Sequence, residues 1–121
     1  MEPVKYKSFK WNEHGVCTNA KLVAAYDVRS YYYYHVFAAE CETGWSVSVD
    51  YSIGFTGGGY CPRYGGELTE KECVVAGLKE MVRRIKHDID CTYAKIDKEK
   101  ARAMLRRVNE QLAECMQYEL F

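Results

Sequence analysis

The two parts of this chain differ in composition, and this difference constrains the fold more than any other feature of the sequence. Residues 1–68 contain eight of the nine glycines and nine of the eleven tyrosines, whereas residues 69–121 contain one glycine and no proline. The first composition is typical of strands and turns, and the second favours helices. Strands followed by helices predict a single α+β domain over residues 1–121, with an antiparallel sheet.

The first part predicts three to four strands between about residues 4 and 53. The clearest strand is 45–53, where apolar residues alternate with three serines and Asp50. This alternation predicts one face in the core and the other in water. Residues 31–41 form a second strand, which a short turn would join to the first as a hairpin. Two segments are weaker strand predictions: 4–11, and 21–29, for which a helix is the alternative.

The second part predicts two amphipathic helices, at about residues 70–90 and 98–118. Thr69 and Glu72 have the spacing of a capping box, and Asp97 can cap the second helix. Each helix carries an apolar stripe that needs cover. One helix should therefore pack on the sheet, and the second either beside it or against another copy of the chain, as in a homodimer.

Four consecutive tyrosines place aromatic side chains on both faces of the strand 31–41. Tyr31 and Tyr33 share one face with His35 and Phe37, and the other two tyrosines share the opposite face. Burial in a core explains only one of these faces, and tyrosine-rich surfaces often mark contact sites. Tyr31 and Tyr33 are therefore candidate partner-binding residues.

The glycine-rich segment 54–66 matches neither the phosphate-binding loop nor the dinucleotide-binding pattern. It is interpreted as a long loop whose glycines permit close backbone approach. In the functional alternative, the loop contacts a partner through Tyr60, Arg63 and Tyr64. Cys61 in this segment would be the nucleophile if the chain were a small enzyme. Metal-ligand spacings are missing from the sequence, so no metal or cofactor is predicted.

Seventeen Lys and Arg residues balance seventeen Asp and Glu residues, which excludes a uniformly basic nucleic-acid-binding protein. The segment 79–107 nevertheless contains ten basic and five acidic residues. A basic ridge on the two helices could bind a nucleic-acid backbone or an acidic protein surface. The alternative is a solvated helix surface with local ion pairs. The candidate residues of this ridge are Arg83, Arg84, Lys86, Arg106 and Arg107.

Six cysteines occur without a secretion signal at the start of the sequence. This combination predicts reduced thiols that act mostly as small core hydrophobes, Cys73 and Cys115 among them. No apolar run approaches the length of a membrane span. We therefore expect a cytoplasmic protein without a membrane partner.

The strand–turn–strand order, followed by a loop and the helix that begins at Thr69-Glu-Lys-Glu-Cys73, resembles the core of HicB-type antitoxins. It resembles double-stranded-RNA-binding domains more distantly. The glycine cluster with Pro62, followed by Leu68-Thr69, is similar to small α+β proteins of phages and integrative elements. This resemblance covers about residues 31–89. It implies a mobile-element setting, in which small non-enzymatic proteins often act by binding host machinery.

Three classes of function remain open on these grounds. The first is a non-enzymatic protein-interaction module that binds a host protein or nucleoprotein complex. Its sharpest form is an anti-CRISPR-like inhibitor of a host nucleic-acid-targeting defence complex. The second is a direct DNA- or RNA-binding protein or antitoxin-like regulator, in which tyrosines stack on bases and arginines contact phosphates. The third is a small enzyme that uses Cys61.

Overall fold

Four strands are followed by two helices in the computed structural model, which confirms the α+β class predicted from the sequence. The strands form one antiparallel sheet in the order β1-β2-β3-β4. The elements are β1 (Lys21–Asp27), β2 (Tyr32–Cys41), β3 (Gly44–Ile53), β4 (Thr56–Tyr60), α1 (Glu70–Asp90) and α2 (Lys98–Glu119). The structure describes residues 10, 12–13, 17–27, 31–54, 56–60, 68–91 and 96–119. The predicted strand 4–11 lies outside the described residues, apart from Lys10.

The predicted hairpin is formed by β2 and β3. The two strands pair in continuous register, with Tyr34 opposite Tyr51 and Val36 opposite Val49. Gly44 follows the turn with a φ of 141°, a backbone conformation that favours glycine. The hairpin forms the centre of the sheet, and β1 and β4 form its edges.

The fourth strand lies in the glycine-rich segment that the sequence assigned to a loop. Gly57 and Gly59 lie opposite Ser52 and Asp50 of β3. A Cβ at Gly57 or Gly59 would come within 2.5 or 2.4 Å of a carbonyl oxygen of β3. Glycine is rare in strands, but here its missing side chain lets β4 pair closely with β3.

Both helices begin and end within about one residue of the predicted positions. The capping box at the start of α1 is formed: the Glu72 N–H donates to Thr69 Oγ1 at 3.1 Å, and the Thr69 N–H donates to Glu72 Oε1 at 3.0 Å. Asp97 caps α2 by accepting from the N–H groups of Glu99 and Lys100. Neither helix is long and apolar enough to span a membrane, within the residues described.

The core lies between the helices and one face of the sheet. Gly77 of α1 lies so close to β2 that a Cβ at this position would meet Val36 Cγ1 at 2.2 Å. The α2 stripe packs against α1 and the sheet, so most of it is covered within the chain. Met116, near the end of this stripe, is 47% exposed. The buried side chains of the core include Tyr34, Val36, Val49, Ile53, Leu78, Met81, Ile85, Ala101, Met104 and Val108.

The opposite face of the sheet is only partly exposed to solvent. Alternation along β3 predicted that its serines lie in water, but this is wrong for Ser46 and Ser48, which are 0% and 5% exposed. Ser46 pairs with Ala39 of β2, which belongs to a second, small apolar cluster. The cluster consists of Cys17, Ala20, Ala39 and Cys41.

No disulfide joins any two of the five described cysteines, and three of the five are buried. Cys73 is fully buried in α1, as its position on the apolar stripe predicted. Burial, followed by the nearby carboxylates of Glu72 and Glu70, raises the pKa of the Cys73 thiol to about 11. Cys73 is therefore protonated and unreactive near neutral pH.

Candidate protein-binding surface

The face of the sheet opposite the helices carries a row of three aromatic rings on β2. Tyr33, His35 and Phe37 occupy alternate positions of the strand, so their side chains lie on the same face. The ring centroids of Tyr33 and His35 are 5.2 Å apart, and those of His35 and Phe37 are 6.1 Å apart. Each ring is half-buried. The row therefore presents ring edges and faces to a partner.

Two carboxylates flank the middle ring, one from each neighbouring strand. His35 Nε2 lies 3.4 Å from Asp27 Oδ2, and His35 Nδ1 lies 3.6 Å from Asp50 Oδ2. The Asp27 and Asp50 side chains are 57% and 56% exposed, whereas that of His35 is 23% exposed. Both carboxylates can therefore accept hydrogen bonds from a partner while they remain beside the imidazole.

Beyond Asp50 the surface becomes flat. Gly57 and Gly59 of β4 pair with Ser52 and Asp50 and share their face of the sheet. Neither glycine carries a side chain, and both are exposed. A partner could therefore approach the aromatic row and Asp50 across β4 without steric obstruction from this strand. We call the surface formed by Tyr33, His35, Phe37, Asp27 and Asp50 the open face.

The run of tyrosines divides between this face and the core. Tyr32 Oη accepts a 2.6 Å hydrogen bond from the Asp97 N–H at the start of α2. Tyr34 Oη donates to Gln111 Oε1 of α2, and Gln111 Nε2 donates to the Ala25 carbonyl of β1 at 3.0 Å. Burial raises the pKa of Tyr34 well above its ordinary value. These two hydroxyls therefore hold α2 against the sheet.

Tyr31, the other candidate from this run, lies immediately before β2 and is 77% exposed. Its carbonyl accepts from the Gly54 N–H at 3.0 Å. This hydrogen bond ties the start of β2 to the end of β3 and leaves the Tyr31 ring in solvent. Tyr31 is thus available to a partner, although it does not belong to the row of three rings.

The arginines proposed for the basic ridge on α1 share one carboxylate. Arg83 donates to Glu80 through Nε and Nη2 at 3.1 and 2.6 Å, and Arg84 donates through Nε at 2.6 Å. These hydrogen bonds, that of Arg83 above all, hold the pKa of Glu80 below its usual range. Arg84 also donates from Nη1 to Tyr51 Oη at 2.5 Å. Glu80 therefore reduces the positive charge of this part of the ridge.

The remaining ridge residues are Lys86, Arg106 and Arg107. Lys86 and Arg106 lie in solvent, on α1 and α2 respectively. Arg107 pairs with Glu110 at 3.2 Å and Glu114 at 3.6 Å. Among the ridge residues of α2, Arg106 is thus exposed and Arg107 is paired within its own helix.

The glycine-rich segment contributed three candidate contact residues. Tyr60 ends β4. Arg63 and Tyr64 lie outside the described residues, as does Cys61, the candidate nucleophile. Among the described residues, no group of three or more His, Cys, Asp or Glu side chains could hold a metal ion.

The carboxylates on either side of His35 were not singled out from the sequence. His35 was placed on the correct face of its strand, and Asp50 on the polar face of β3. The missing information was the register, which puts His35 opposite Asp50 and brings Asp27 of β1 opposite Tyr33. Comparisons of this chain with protein-family models, with curated proteins and with solved structures found no match.

Proposed function

We propose that this chain is a non-enzymatic protein-binding module and that the open face is its contact surface. The observation that carries the proposal is the row of neighbouring rings of Tyr33, His35 and Phe37, with an exposed carboxylate on each side of His35. Aromatic rings contribute a large contact area with little loss of side-chain entropy on binding. A row held in place by the central strand of a sheet is already ordered, which reduces the cost of association.

The charges of the open face favour a cationic partner surface. Asp27 and Asp50 are both more than half exposed, and they lie beside rings whose faces attract cations. An arginine can donate two hydrogen bonds to a carboxylate and also stack on an aromatic ring. The expected partner is therefore a protein surface that carries arginine.

The same charges disfavour nucleic acid at this surface. Single strands bind where aromatic rings for stacking lie within a positively charged groove. On the open face the rings lie between two carboxylates, which repel phosphates. Arg83, Arg84 and Arg107 are already paired with glutamates, so they attract phosphates less than free cations would.

The test is capture of a partner by the tagged full chain from a lysate of its native host, with and without nuclease, followed by mass spectrometry. Two variants change the open face: Tyr33→Ala, and the double variant Asp27→Asn/Asp50→Asn. Their matched controls are Met116→Ala, which shortens an exposed apolar side chain on α2, and Glu110→Gln/Glu114→Gln, which removes two exposed carboxylates from α2. Variants are compared only after their melting temperatures have been measured.

We expect a stoichiometric protein that survives nuclease, is lost with both open-face variants and is retained by both controls. Binding should weaken moderately with salt, because apolar contacts supplement the ion pairs. Recovery that disappears with nuclease and falls steeply with salt would instead identify a nucleic-acid-binding protein. The same capture tests binding to a host defence complex, because a subunit of such a complex would be the recovered protein.

A further inference from the structure

Within the residues that the structure describes, nothing protects the outer edge of β4. This strand, Thr56–Tyr60, contains three consecutive exposed glycines and carries neither charge nor proline. It pairs with β3 along its inner edge, and within the described ranges no strand pairs with its outer edge. Edge strands are usually protected by charged side chains, proline or bulges. The backbone groups along this edge can therefore pair with an added strand.

Gly58 differs from its two neighbours, because packing does not require glycine there. A Cβ at Gly57 or Gly59 would collide with the β3 backbone, whereas a Cβ at Gly58 would meet only Tyr51 Oη, at 3.7 Å. Gly58 lies opposite Tyr51 in the register. It therefore belongs to the helix side of the sheet, and its missing side chain leaves open space beside Tyr51.

A pocket of about 280 Å³ lies on this side of the sheet, between β3 and the last turns of α1. It is open to solvent and is lined by Tyr51, Arg83, Arg84, His87 and Asp88. Thr56 Oγ1 of β4 donates to Asp88 Oδ2 at 2.9 Å, which ties the start of the edge strand to the wall of the pocket. The pocket and the unprotected edge are thus parts of one site.

Each of the two arginines that line the pocket has N–H groups that can donate hydrogen bonds to a ligand. Arg83 uses Nε and Nη2 for Glu80, and Arg84 uses Nε for Glu80 and Nη1 for Tyr51. In the part of the chain that is described, Arg83 Nη1 and Arg84 Nη2 have no hydrogen-bond partner. Glu80 holds both side chains on the pocket side of α1. Two guanidinium groups held in this way suit a carboxylate, which can accept from both.

We propose that β4 accepts an extended segment of a partner protein as a fifth strand, and that an acidic side chain of this segment enters the pocket at Arg83 and Arg84. Residues opposite each other in neighbouring strands point to the same face of a sheet. The partner residue opposite Gly58 therefore points to the helix side, where the pocket lies. Backbone hydrogen bonds supply affinity in this mode, and the pocket selects the side chain.

The test is a titration of the ¹⁵N-labelled full chain with two seven-residue peptides, observed by NMR. Both are N-acetylated, C-amidated peptides of threonine and valine, one with a central glutamate and the other with glutamine. The variants are Arg83→Gln, which removes an exposed pocket donor, and Gly58→Val, which fills the space beside Tyr51 with a strand-forming residue. The charge-matched control is Arg102→Gln, at an exposed position of α2.

We expect the amide resonances of Gly57, Gly58 and Gly59 to shift on titration. The Kd of the glutamate peptide should be lower by about fivefold, the contribution of a partly exposed ion pair. The preference should persist in Arg102→Gln and disappear in Arg83→Gln and Gly58→Val. Equal Kd values for the two peptides, a preference that survives Arg83→Gln, or no shifts in β4 at millimolar peptide would overturn the proposal.

Shifts in β4 that depend on protein concentration without peptide would also overturn it, because they would identify a second copy of the chain as the occupant of this edge. The proposal does not depend on the open face. Tyr33→Ala should leave the peptide titration unchanged, so failure of one proposal can be distinguished from failure of the other.

Discussion

Tyrosine has different roles on the two sides of the sheet, which are the covered face, packed against the helices, and the open face. On the covered face, Tyr32 and Tyr34 are buried and their hydroxyls bond to the start and the middle of α2. On the other side, the ring of Tyr33 lies beside that of His35 and the ring of Tyr31 lies in solvent. The comparison teaches that a tyrosine contributes to stability where its ring is buried and its hydroxyl has a hydrogen-bond partner, and is available for binding where its ring reaches the surface.

The largest difference between the faces should appear when single rings are removed. Tyr34→Ala leaves a cavity and removes the partner of Gln111, so we expect the free energy of unfolding to fall by about 3–5 kcal/mol. Tyr33→Ala should change it by no more than about 1 kcal/mol. Urea denaturation of both variants measures the difference. Equal losses would show that Tyr33 is a core residue, and the open face would then lose its role as a contact surface.

A methyl group added between α1 and the covered face should have the next largest effect on stability. Gly77→Ala would place a Cβ 2.2 Å from Val36 Cγ1, and overpacking of this kind costs about 1–3 kcal/mol. This cost opposes the gain in helix propensity of about 1 kcal/mol. In the double variant Gly77→Ala/Val36→Ala the nearest remaining atom would be the Cβ of residue 36, at 3.2 Å. Most of the cost of adding the methyl group should therefore disappear when it is measured against Val36→Ala alone.

The matched control for this change is Gly58→Ala, in the uncovered edge strand. The nearest atom to its Cβ would be Tyr51 Oη at 3.7 Å, an ordinary contact. We expect a change within about 0.5 kcal/mol in the free energy of unfolding. If Gly77→Ala were as well tolerated as this control, the close packing of α1 on β2 would be refuted.

A smaller effect on stability, which depends on pH, should also distinguish the two faces. Tyr34→Phe should cost about 1 kcal/mol near neutral pH, because it removes the hydrogen bond to Gln111. Burial raises the pKa of Tyr34 in the folded state. The protonated Tyr34 hydroxyl therefore makes its full contribution to the free energy of unfolding at pH values below about 10, the pKa of tyrosine in the unfolded chain. This contribution is lost as the pH rises above that value.

The difference in the free energy of unfolding between the wild type and Tyr34→Phe should therefore decrease between about pH 9 and pH 11. Denaturation midpoints measured across this range test the prediction. Tyr33→Phe, the control on the open face, should change neutral-pH stability by less than about 0.5 kcal/mol. A difference that stays constant to about pH 11 would mean that the Tyr34 hydroxyl is not buried against α2.

The smallest effect on stability is expected for the carboxylates of the open face. Asp27 and Asp50 are more than half exposed and lie 3.4 and 3.6 Å from the imidazole of His35. Removal of both charges by Asp27→Asn/Asp50→Asn should change the melting temperature by no more than about 2 °C, because exposed ion pairs contribute little. Calorimetry measures this change. A large loss of stability would make the two carboxylates structural and would remove the charge argument for a cationic partner.

Local patterns predicted most of the fold. The capping box at Thr69 and the uninterrupted stripe after it located α1, and Asp97 located the start of α2. Alternation along 45–53 located β3 and its core face. The strand Thr56–Tyr60 was missed, because glycine-rich sequence is locally indistinguishable from a loop. The need for glycine in this strand arises from the neighbouring strand, because a Cβ at Gly57 or Gly59 would collide with the backbone of β3.

The candidate sites were predicted less completely, because each combines residues from different elements. Sequence reasoning selected Tyr31 and Tyr33 as contact residues, and Arg83 and Arg84 for a surface that binds nucleic acid or an acidic protein. It could not indicate that Glu80 bonds to both arginines and that Arg84 also bonds to Tyr51 of β3, contacts that depend on the position of α1. The burial of Ser46 could not be predicted either, because it does not follow from the alternation of residues along β3.

The sequence by itself determined the two helices, the central hairpin and the core face of each, because periodicity and capping act between residues only a few positions apart. Only the tertiary structure decided which polar groups meet. The register of three strands placed His35 between Asp27 and Asp50, and the packing of α1 placed Arg84 against Tyr51. Both depend on contacts between residues far apart in the chain. Such contacts form only when the whole core packs, so no local pattern in the sequence specifies them.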